Sequence, residues 1–254
     1  MTEKVVCFRC HQAGELLYYS KKYPIVKCAD CSQIFTGVKF PSQARQHFYD
    51  DTTYFVKMYG ETKFHPSQIW HRIVSQRRLK LIMRFLAKGK LLDIGCGYGF
   101  FLNIAQKFNW NVSGVELSRL ASEYARRSYQ LDIFNGEAED ADYSEHSFNV
   151  ITFWDVLEHV FNPAAFLNSV HRILKREGLI AFSVPNIDSL VARLYKGKWW
   201  TLRPEQHLWH FSPQTLNRLL YEQRFKPLLI AKSPLSGPGF TRVDNIVVLA
   251  RPIS

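Results

Sequence analysis

The sequence predicts an α/β protein, a parallel sheet wrapped by helices with a small cysteine-bound module at its N-terminal end. Three observations predict it. Residues 91–99 read LLDIGCGYG, a short apolar strand that runs through alternating glycines into a helix-compatible stretch, Phe100 to Phe108. Residues 111–118, NVSGVELS, give a second strand that ends on Glu116. Four of the five cysteines fall at positions 7, 10, 28 and 31, ahead of both strands.

A strand that turns through glycines into a helix is a ligand cradle. Glycine allows the tight turn and lets a ligand approach the backbone. The helix start offers N–H groups and a partial positive charge to an anionic group. The spacing excludes the dinucleotide fingerprint, because Phe100 stands where G-x-G-x-x-G needs its third glycine. The pattern is D-x-G-x-G-x-G, with Asp93 on the strand. Glu116, at the end of the second strand, is placed to accept hydrogen bonds from ribose hydroxyls.

The cysteines read C-x2-C-x17-C-x2-C, the spacing of a four-thiolate zinc site. Two disulfides are the alternative, which a cytoplasmic setting disfavours. Four thiolates close a tetrahedral site, so such a zinc is structural and not catalytic. Residues 1–40 are therefore read as a zinc ribbon, with a hairpin in LLYYSKKYPIVK. Cys96, the fifth cysteine, sits inside the glycine loop as a small filling residue.

Residues 41–66 form a connector rich in aromatics (Phe48, Tyr49, Tyr54, Phe55, Tyr59 and Phe64), which either packs on the main domain or covers its site as a lid. Residues 67–254 form that domain. It opens with an amphipathic helix over 67–88, whose apolar positions are Ile69, Ile73, Leu79, Ile82, Met83 and Leu86. Arg72, Arg77, Arg78, Lys80 and Arg84 give it a basic face beside the glycine loop.

Composition bounds the answer further. The 254 residues are 46% hydrophobic and 22% charged, a globular balance. No apolar run approaches the roughly 20 residues of a membrane helix. The start, MTEKVVCFRC, has no signal-peptide core, and a cytoplasmic protein is expected. The net charge of +11 is uneven: residues 1–90 carry 16 Lys/Arg against 6 Asp/Glu. Such a basic segment binds nucleic acid, nucleotide phosphates or an anionic surface, or is simply a solvated face.

Later elements follow in order. Ser118 caps a helix over 118–130. LDIFNGEAED gives a short strand and an acidic loop. FNVITFWDVLEHVF gives a strand from Phe148 to Phe153 that opens into Trp154-Asp155, and Pro163 starts a helix. GLIAFSVPN is a fifth strand, followed by an aromatic and basic insertion from Lys196 to His210. Ser212-Pro213 starts another helix, and FKPLLIAKS and DNIVVLARP make a closing antiparallel pair.

Asp93, the glycine loop and Glu116 resemble motif I and the second-strand acid of class I S-adenosylmethionine (SAM) methyltransferases. DVLEHV resembles the E-x-L-E-H-V signature of ubiquinone-biosynthesis O-methyltransferases. PEQHLWHFSPQTL resembles their H-x-x-x-F-S-P-x-x-L segment, which borders the acceptor pocket. The resemblance implies a Rossmann-like seven-stranded sheet that binds SAM. It implies that Asp93, Gly95, Cys96, Gly97 and Gly99 hold the amino-acid part of SAM and that Glu116 holds the ribose. Glu137 and Ala138 then meet the adenine, and Asp155 lies at the sulfonium. His207 best matches the family's histidine, and His210 is the second choice. His159 or one of these accepts the acceptor's proton.

Asp155, Glu158 and His159 have the spacing D-x-x-E-H. If the segment turns helically, they share one face and hold a divalent cation, as E-x-x-E-H does in related enzymes. Asp155 replaces the first glutamate, a shorter arm. The activity implied is O- or C-methylation of a small molecule: a sugar, nucleotide-sugar or phenolic hydroxyl, phosphorylated or nucleotide-linked acceptors included. The alternative is an RNA methyltransferase whose basic zinc module reads RNA. The absence of an N-P-P-[YF] motif stands against that alternative.

Overall fold

The structure, a computed structural model, describes residues 3–39, 66–233 and 244–253. The connector expected over 41–66 lies outside these residues but for Pro66, and so does its reading as a lid.

The N-terminal module is built on two matching turns. The N–H of His11 donates to the Cys7 carbonyl at 2.9 Å, and that of Ser32 to the Cys28 carbonyl at 3.0 Å. His11 and Ser32 take positive φ, 55° and 62°. The repeated turn curls each cysteine pair around one point. Between the turns, β2 (Gly14–Ser20) and β3 (Tyr23–Cys28) form the expected hairpin, and β4 (Ile34–Thr36) pairs with β3. β1 (Glu3–Lys4) and β5 (Val38–Lys39) pair alongside.

Helix α1 (Pro66–Met83) precedes the main sheet. Then follow β6 (Lys90–Ile94), α2 (Phe100–Lys107), β7 (Asn111–Glu116), α3 (Arg119–Tyr129), β8 (Asp132–Asn135) and β9 (Phe148–Trp154). The chain continues through α4 (Pro163–Ile173), β10 (Leu174–Pro185), α5 (Leu190–Tyr195), β11 (Trp209–His210) and α6 (Pro213–Glu222). It closes with β12 (Phe225–Ser233) and β13 (Asn245–Pro252).

Seven strands form one sheet in the order β12-β13-β10-β9-β6-β7-β8. The five strands from β6 to β10 are parallel, and β13 runs antiparallel between β10 and β12. From β6 the chain moves to β7 and β8 on one side, then crosses to β9 on the other. A parallel sheet opens a ligand crevice at such a switch point, outside the carboxyl ends of its strands.

Helix starts follow their capping chemistry. Ser118 accepts from the Ala121 N–H, Asn162 from those of Ala164 and Ala165 ahead of Pro163, and Ser212 makes a capping box with Thr215. Alternate strand residues face opposite sides of the sheet. Leu92, Ile94, Ile151, Phe153, Ile180 and Phe182 pack on one side with α4. Leu91, Val150, Leu179 and Ala181 pack on the other with Leu79, Ile82, Phe101 and Leu102. Each of the valine, leucine, isoleucine and phenylalanine side chains contributes roughly 1.5–3 kcal/mol when fully buried.

Helix α1 is shorter than expected and buries a different stripe. Val74, Ser75, Leu79 and Ile82 are inside, while Ile69, Ile73 and Met83 are exposed. The helix faces a polar cavity with part of its surface, so its buried stripe is not its most apolar one.

The module and the main domain share a sheet and a core. β11, from the late insertion, adds to the edge of β4 with Trp209 opposite Phe35 and His210 opposite Ile34. Cys7, Cys28, Cys31 and Phe35 belong to the same apolar cluster as Leu157, Phe166 and Trp209. Among the described residues no helix is long and apolar enough to cross a membrane.

Candidate cofactor and acceptor site

The switch point opens into a cavity of about 530 Å³, within the usual range for small-molecule sites. Its floor is the strand end and turn of residues 93–97, and the end of β7 with Glu116 forms one wall. The loop 136–140, the turn 154–162 and one stripe of α1 (His71, Ser75 and Arg78) close it.

Gly95, Gly97 and Gly99 all take positive φ, from 55° to 75°. A Cβ on Gly95 would meet Val156 at 2.6 Å, and one on Gly99 would meet Leu131 at 2.6 Å. The loop therefore needs glycine at both ends, for conformation and for space. Glu116 braces it from the next strand: Oε2 accepts from the Gly97 N–H and Oε1 from the Ser118 N–H, both at 2.8 Å. Each carboxylate oxygen has a second lone pair to offer a hydroxyl.

Asp93 is buried, and its Oδ1 accepts from the Thr152 hydroxyl at 2.6 Å. Burial pushes its carboxyl up to about 7; the Thr152 bond and the Arg78 charge pull down, and Glu116 adds to the rise. Cys96 is buried under the loop, its thiol raised well above the usual range by burial and by Glu116 and Asp93. It fills space rather than acting as a nucleophile. Glu137 and Ala138 line the cavity where the loop begins a short 3₁₀ turn.

Arg78 and Asp155 organise the opposite side. The Arg78 guanidinium lies over the Trp154 ring, 4.2 Å from its centroid, and 3.8 Å from Asp155 Oδ2. Asp155 takes a left-handed φ of 58°, which costs a non-glycine residue about 1 kcal/mol or more. Its N–H donates to the Ser183 carbonyl, and its Oδ1 accepts from the Ser183 hydroxyl at 2.9 Å and from Asn245 at 2.6 Å.

The expected cation site of Asp155, Glu158 and His159 is corrected by this geometry. The segment after Trp154 is a turn and not a helix, so the three do not share a face, and the Asp155 carboxylate is engaged by Ser183 and Asn245. Glu158 and His159 instead meet His207, with one ligand-type atom from each lying within 4.8 Å of the others. The His159 and His207 rings meet edge to face at 4.6 Å. His159 Nδ1 donates to the Gln206 carbonyl at 3.0 Å, which leaves the basic lone pair on Nε2. His207 is buried and its Nδ1 has no hydrogen-bond partner among the described residues. Burial and the facing His159 hold His207 far below the usual imidazole range, so it is neutral. A carboxylate and two imidazoles suit a divalent transition-metal ion or zinc.

His159 lies on the cavity wall and His207 packs against it, while neither His207 nor His210 lines the cavity. Burial lowers the His210 ring to about 3, and its Nε2 lies 3.1 Å from the Thr36 hydroxyl of the N-terminal module. The four N-terminal cysteines converge: their sulfurs all lie within 4.8 Å of one another, and Cys7 and Cys31 are 3.5 Å apart. A tetrahedron of thiolates about 2.3 Å from zinc has edges of about 3.8 Å, so the set fits that ion. A disulfide needs about 2.05 Å.

Several site residues were missed in the sequence reading. Thr152, Ser183 and Asn245 have no motif signal, because strand pairing alone brings them to Asp93 and Asp155. Arg78 was read only as part of a basic face; its i, i+3 and i+7 relation to Ser75 and His71 was the available clue.

Fold and cavity define an α/β protein built to bind a nucleotide-like cofactor at its strand ends. A family model described as a methyltransferase domain matches residues 69–228, and the chain belongs to that methyltransferase family. It is 34% identical over 112 residues to the mitochondrial ubiquinone biosynthesis O-methyltransferase of Schizosaccharomyces pombe, covering 41% of this chain and 40% of that one. It is 30% identical over 184 residues to the ubiquinone biosynthesis O-methyltransferase of Idiomarina loihiensis, covering 65% and 76%. An uncharacterized protein of Methanocaldococcus jannaschii is 27% identical over 128 residues, with 50% and 60% covered. The chain thus spans 60% and 40% of the archaeal and yeast relatives.

Solved structures share the fold. The magnesium protoporphyrin IX methyltransferase of Synechocystis with bound S-adenosylhomocysteine superposes with a TM-score of 0.65 at 14% identity, over 84% of this chain and all of that one. The 1,6-didemethyltoxoflavin-N1-methyltransferase of Burkholderia thailandensis gives 0.63 at 17% identity, over 94% and 100%.

Proposed function

We propose that the chain transfers the methyl group of SAM to a hydroxyl of a small molecule, with a phenol as the first acceptor to test. The observation that supports this most is the cavity itself, which puts Asp93, the glycine loop and Glu116 at one end and His159 at the other. The naming of the relatives for ubiquinone biosynthesis favours a phenolic acceptor.

In this reading Gly95, Cys96, Gly97 and Gly99 receive the amino-acid part of SAM through backbone groups, with Asp93 beneath them and Arg78 toward the carboxylate. Glu116 accepts from the ribose hydroxyls. Glu137 and Ala138 meet the adenine, and Asp155 orients Arg78 near the sulfonium. The acceptor oxygen attacks the methyl carbon in line, and the carbon–sulfur bond breaks with its electron pair passing to sulfur. The hydroxyl proton goes to His159 Nε2. The remaining task is to hold oxygen and methyl at attack distance and to exclude water.

The same Nε2 lone pair is the one a divalent cation would take: Glu158, His159 and His207 would hold the ion, which when bound would lower the pKa of an acceptor hydroxyl, its proton then passing to solvent water in place of His159. Cys7, Cys10, Cys28 and Cys31 would hold a structural zinc in a ribbon over residues 1–40, with the methyltransferase domain over 67–254. Measuring metal content tests the ribbon: about one zinc per chain, lost in Cys28→Ser, is expected.

The acceptor is tested with methyl-labelled SAM and a host lysate, fractionated by size with and without ribonuclease. Label in the small-molecule fraction is the expected result. Label in a ribonuclease-sensitive macromolecule would replace this reading with RNA methylation.

A further inference from the structure

The N-terminal module packs against the stretch that carries His207, and the side chains of Thr36 and Gln33 connect the two. Thr36 closes β4 and is fully buried. Its N–H donates to the Leu208 carbonyl at 2.9 Å. Its hydroxyl donates to the His207 carbonyl at 2.8 Å. A hydroxyl has one proton, so toward His210 Nε2 the Thr36 oxygen must accept. That places the proton of the neutral His210 ring on Nε2. Gln33, three residues earlier, donates from Nε2 to the His210 carbonyl at 2.9 Å.

The same segment is held from the other side. The N–H groups of Leu208 and Trp209 both donate to the Glu158 carbonyl, at 2.9 and 3.2 Å. The Trp209 indole donates to the Val160 carbonyl at 2.8 Å. Residues 206–210 are thus gripped between β4 and the turn that presents Glu158 and His159. Apart from the two-residue β11, this segment has no regular structure to place His207 by itself.

We propose that Thr36 is a positioning residue for His207, and that the cysteine module serves to hold the acceptor-side cluster together. This rests on the reading of that cluster as a functional site. The module is not a separate recognition domain: its strand β4 supplies the hydrogen bonds that set an imidazole against a carboxylate from the opposite side. Such partners act at one remove, and their loss typically costs about 10–100-fold in metal affinity or activity. Removing the Thr36 hydroxyl leaves the His207 carbonyl and the His210 Nε2–H buried without that partner.

The test compares Thr36→Val with Thr36→Ser in the full chain. Three quantities are read: the imidazole ¹⁵N signals of His207, Mn²⁺ binding by electron paramagnetic resonance, and SAM binding by calorimetry. Thr36→Val is expected to move the His207 signals and to weaken Mn²⁺ binding about tenfold or more. SAM affinity should stay within about twofold, and Thr36→Ser should restore the His207 signals and Mn²⁺ binding. Unmoved His207 signals would overturn the proposal, as would a parallel loss of SAM affinity and thermal stability that serine fails to rescue. If the wild-type chain binds no Mn²⁺ but the His207 signals still move, the positioning role stands and the cation reading falls. Should Thr36→Val fail to fold, Gln33→Met removes the neighbouring hydrogen bond to His210 and is read by the same signals.

Discussion

The two ends of the cavity are held together by different means. At the cofactor end, Asp93 and Glu116 come from adjacent parallel strands and Gly97 from the turn that follows the first, and short bonds such as that from the Gly97 N–H to Glu116 join neighbours in one βαβ unit. At the histidine end, Glu158 and His159 meet His207 across an insertion, and Thr36 from the far N-terminal module donates a hydrogen bond to the His207 carbonyl. The first end is local and folds with its sheet. The second is assembled from three separated stretches, so its geometry depends on tertiary contacts that any one stretch lacks.

The largest effect should come at the assembled end. His159→Ala is expected to lower turnover by about 100-fold or more, the usual worth of a positioned proton acceptor. SAM affinity should not follow, as calorimetry would show. A variant that lost SAM binding in step with turnover would erase the distinction between the ends.

At the local end, Glu116→Ala should weaken SAM binding by on the order of 1–3 kcal/mol, the value of charge-assisted bonds to two hydroxyls. Unchanged affinity would break the assignment of Glu116 to the ribose.

A smaller effect is a pH dependence at Asp93. Its carboxyl is pushed up from 3.8 to about 7, so the folded chain holds this proton where the unfolded chain has lost it. Its contribution to stability is therefore complete below about 3.8 and is lost as pH rises through about 7. A bound ammonium group favours the ionised form. SAM affinity should accordingly rise with pH toward 7, by at most about tenfold per unit, and level off above it. Asp93→Asn should flatten the profile in calorimetric titrations; a flat wild-type profile would separate Asp93 from the ammonium.

Cys96→Ala should matter least. The side chain fills space beside Gly114, where an added Cβ would already meet its sulfur at 2.8 Å. A small cavity and a loss of about 1 kcal/mol are expected in thermal melts. Abolished turnover in this variant would reveal chemistry at a residue read as filling.

The sequence by itself determined the local end. D-x-G-x-G-x-G, the strand ending on Glu116, the helix caps at Ser118, Asn162 and Ser212, and the paired cysteine turns are each encoded within a few residues. Their backbone demands, positive φ or an N-terminal hydrogen bond, depend little on the rest of the chain. Elsewhere the tertiary fold overrides local order. D-x-x-E-H places three ligands on one face only of a helix, and the strand instead breaks into a turn that sends Asp155 to Ser183 and Asn245. The apolar stripe of α1 was misjudged because a polar cavity, invisible in sequence, takes part of its surface.

Only the tertiary structure decided that His207 joins Glu158 and His159, that His210 turns to Thr36, and that β11 completes the sheet of the cysteine module. The physical reason is separation along the chain. Buried polar groups must find partners, and for these residues the partners lie far away in sequence, where no spacing rule reaches.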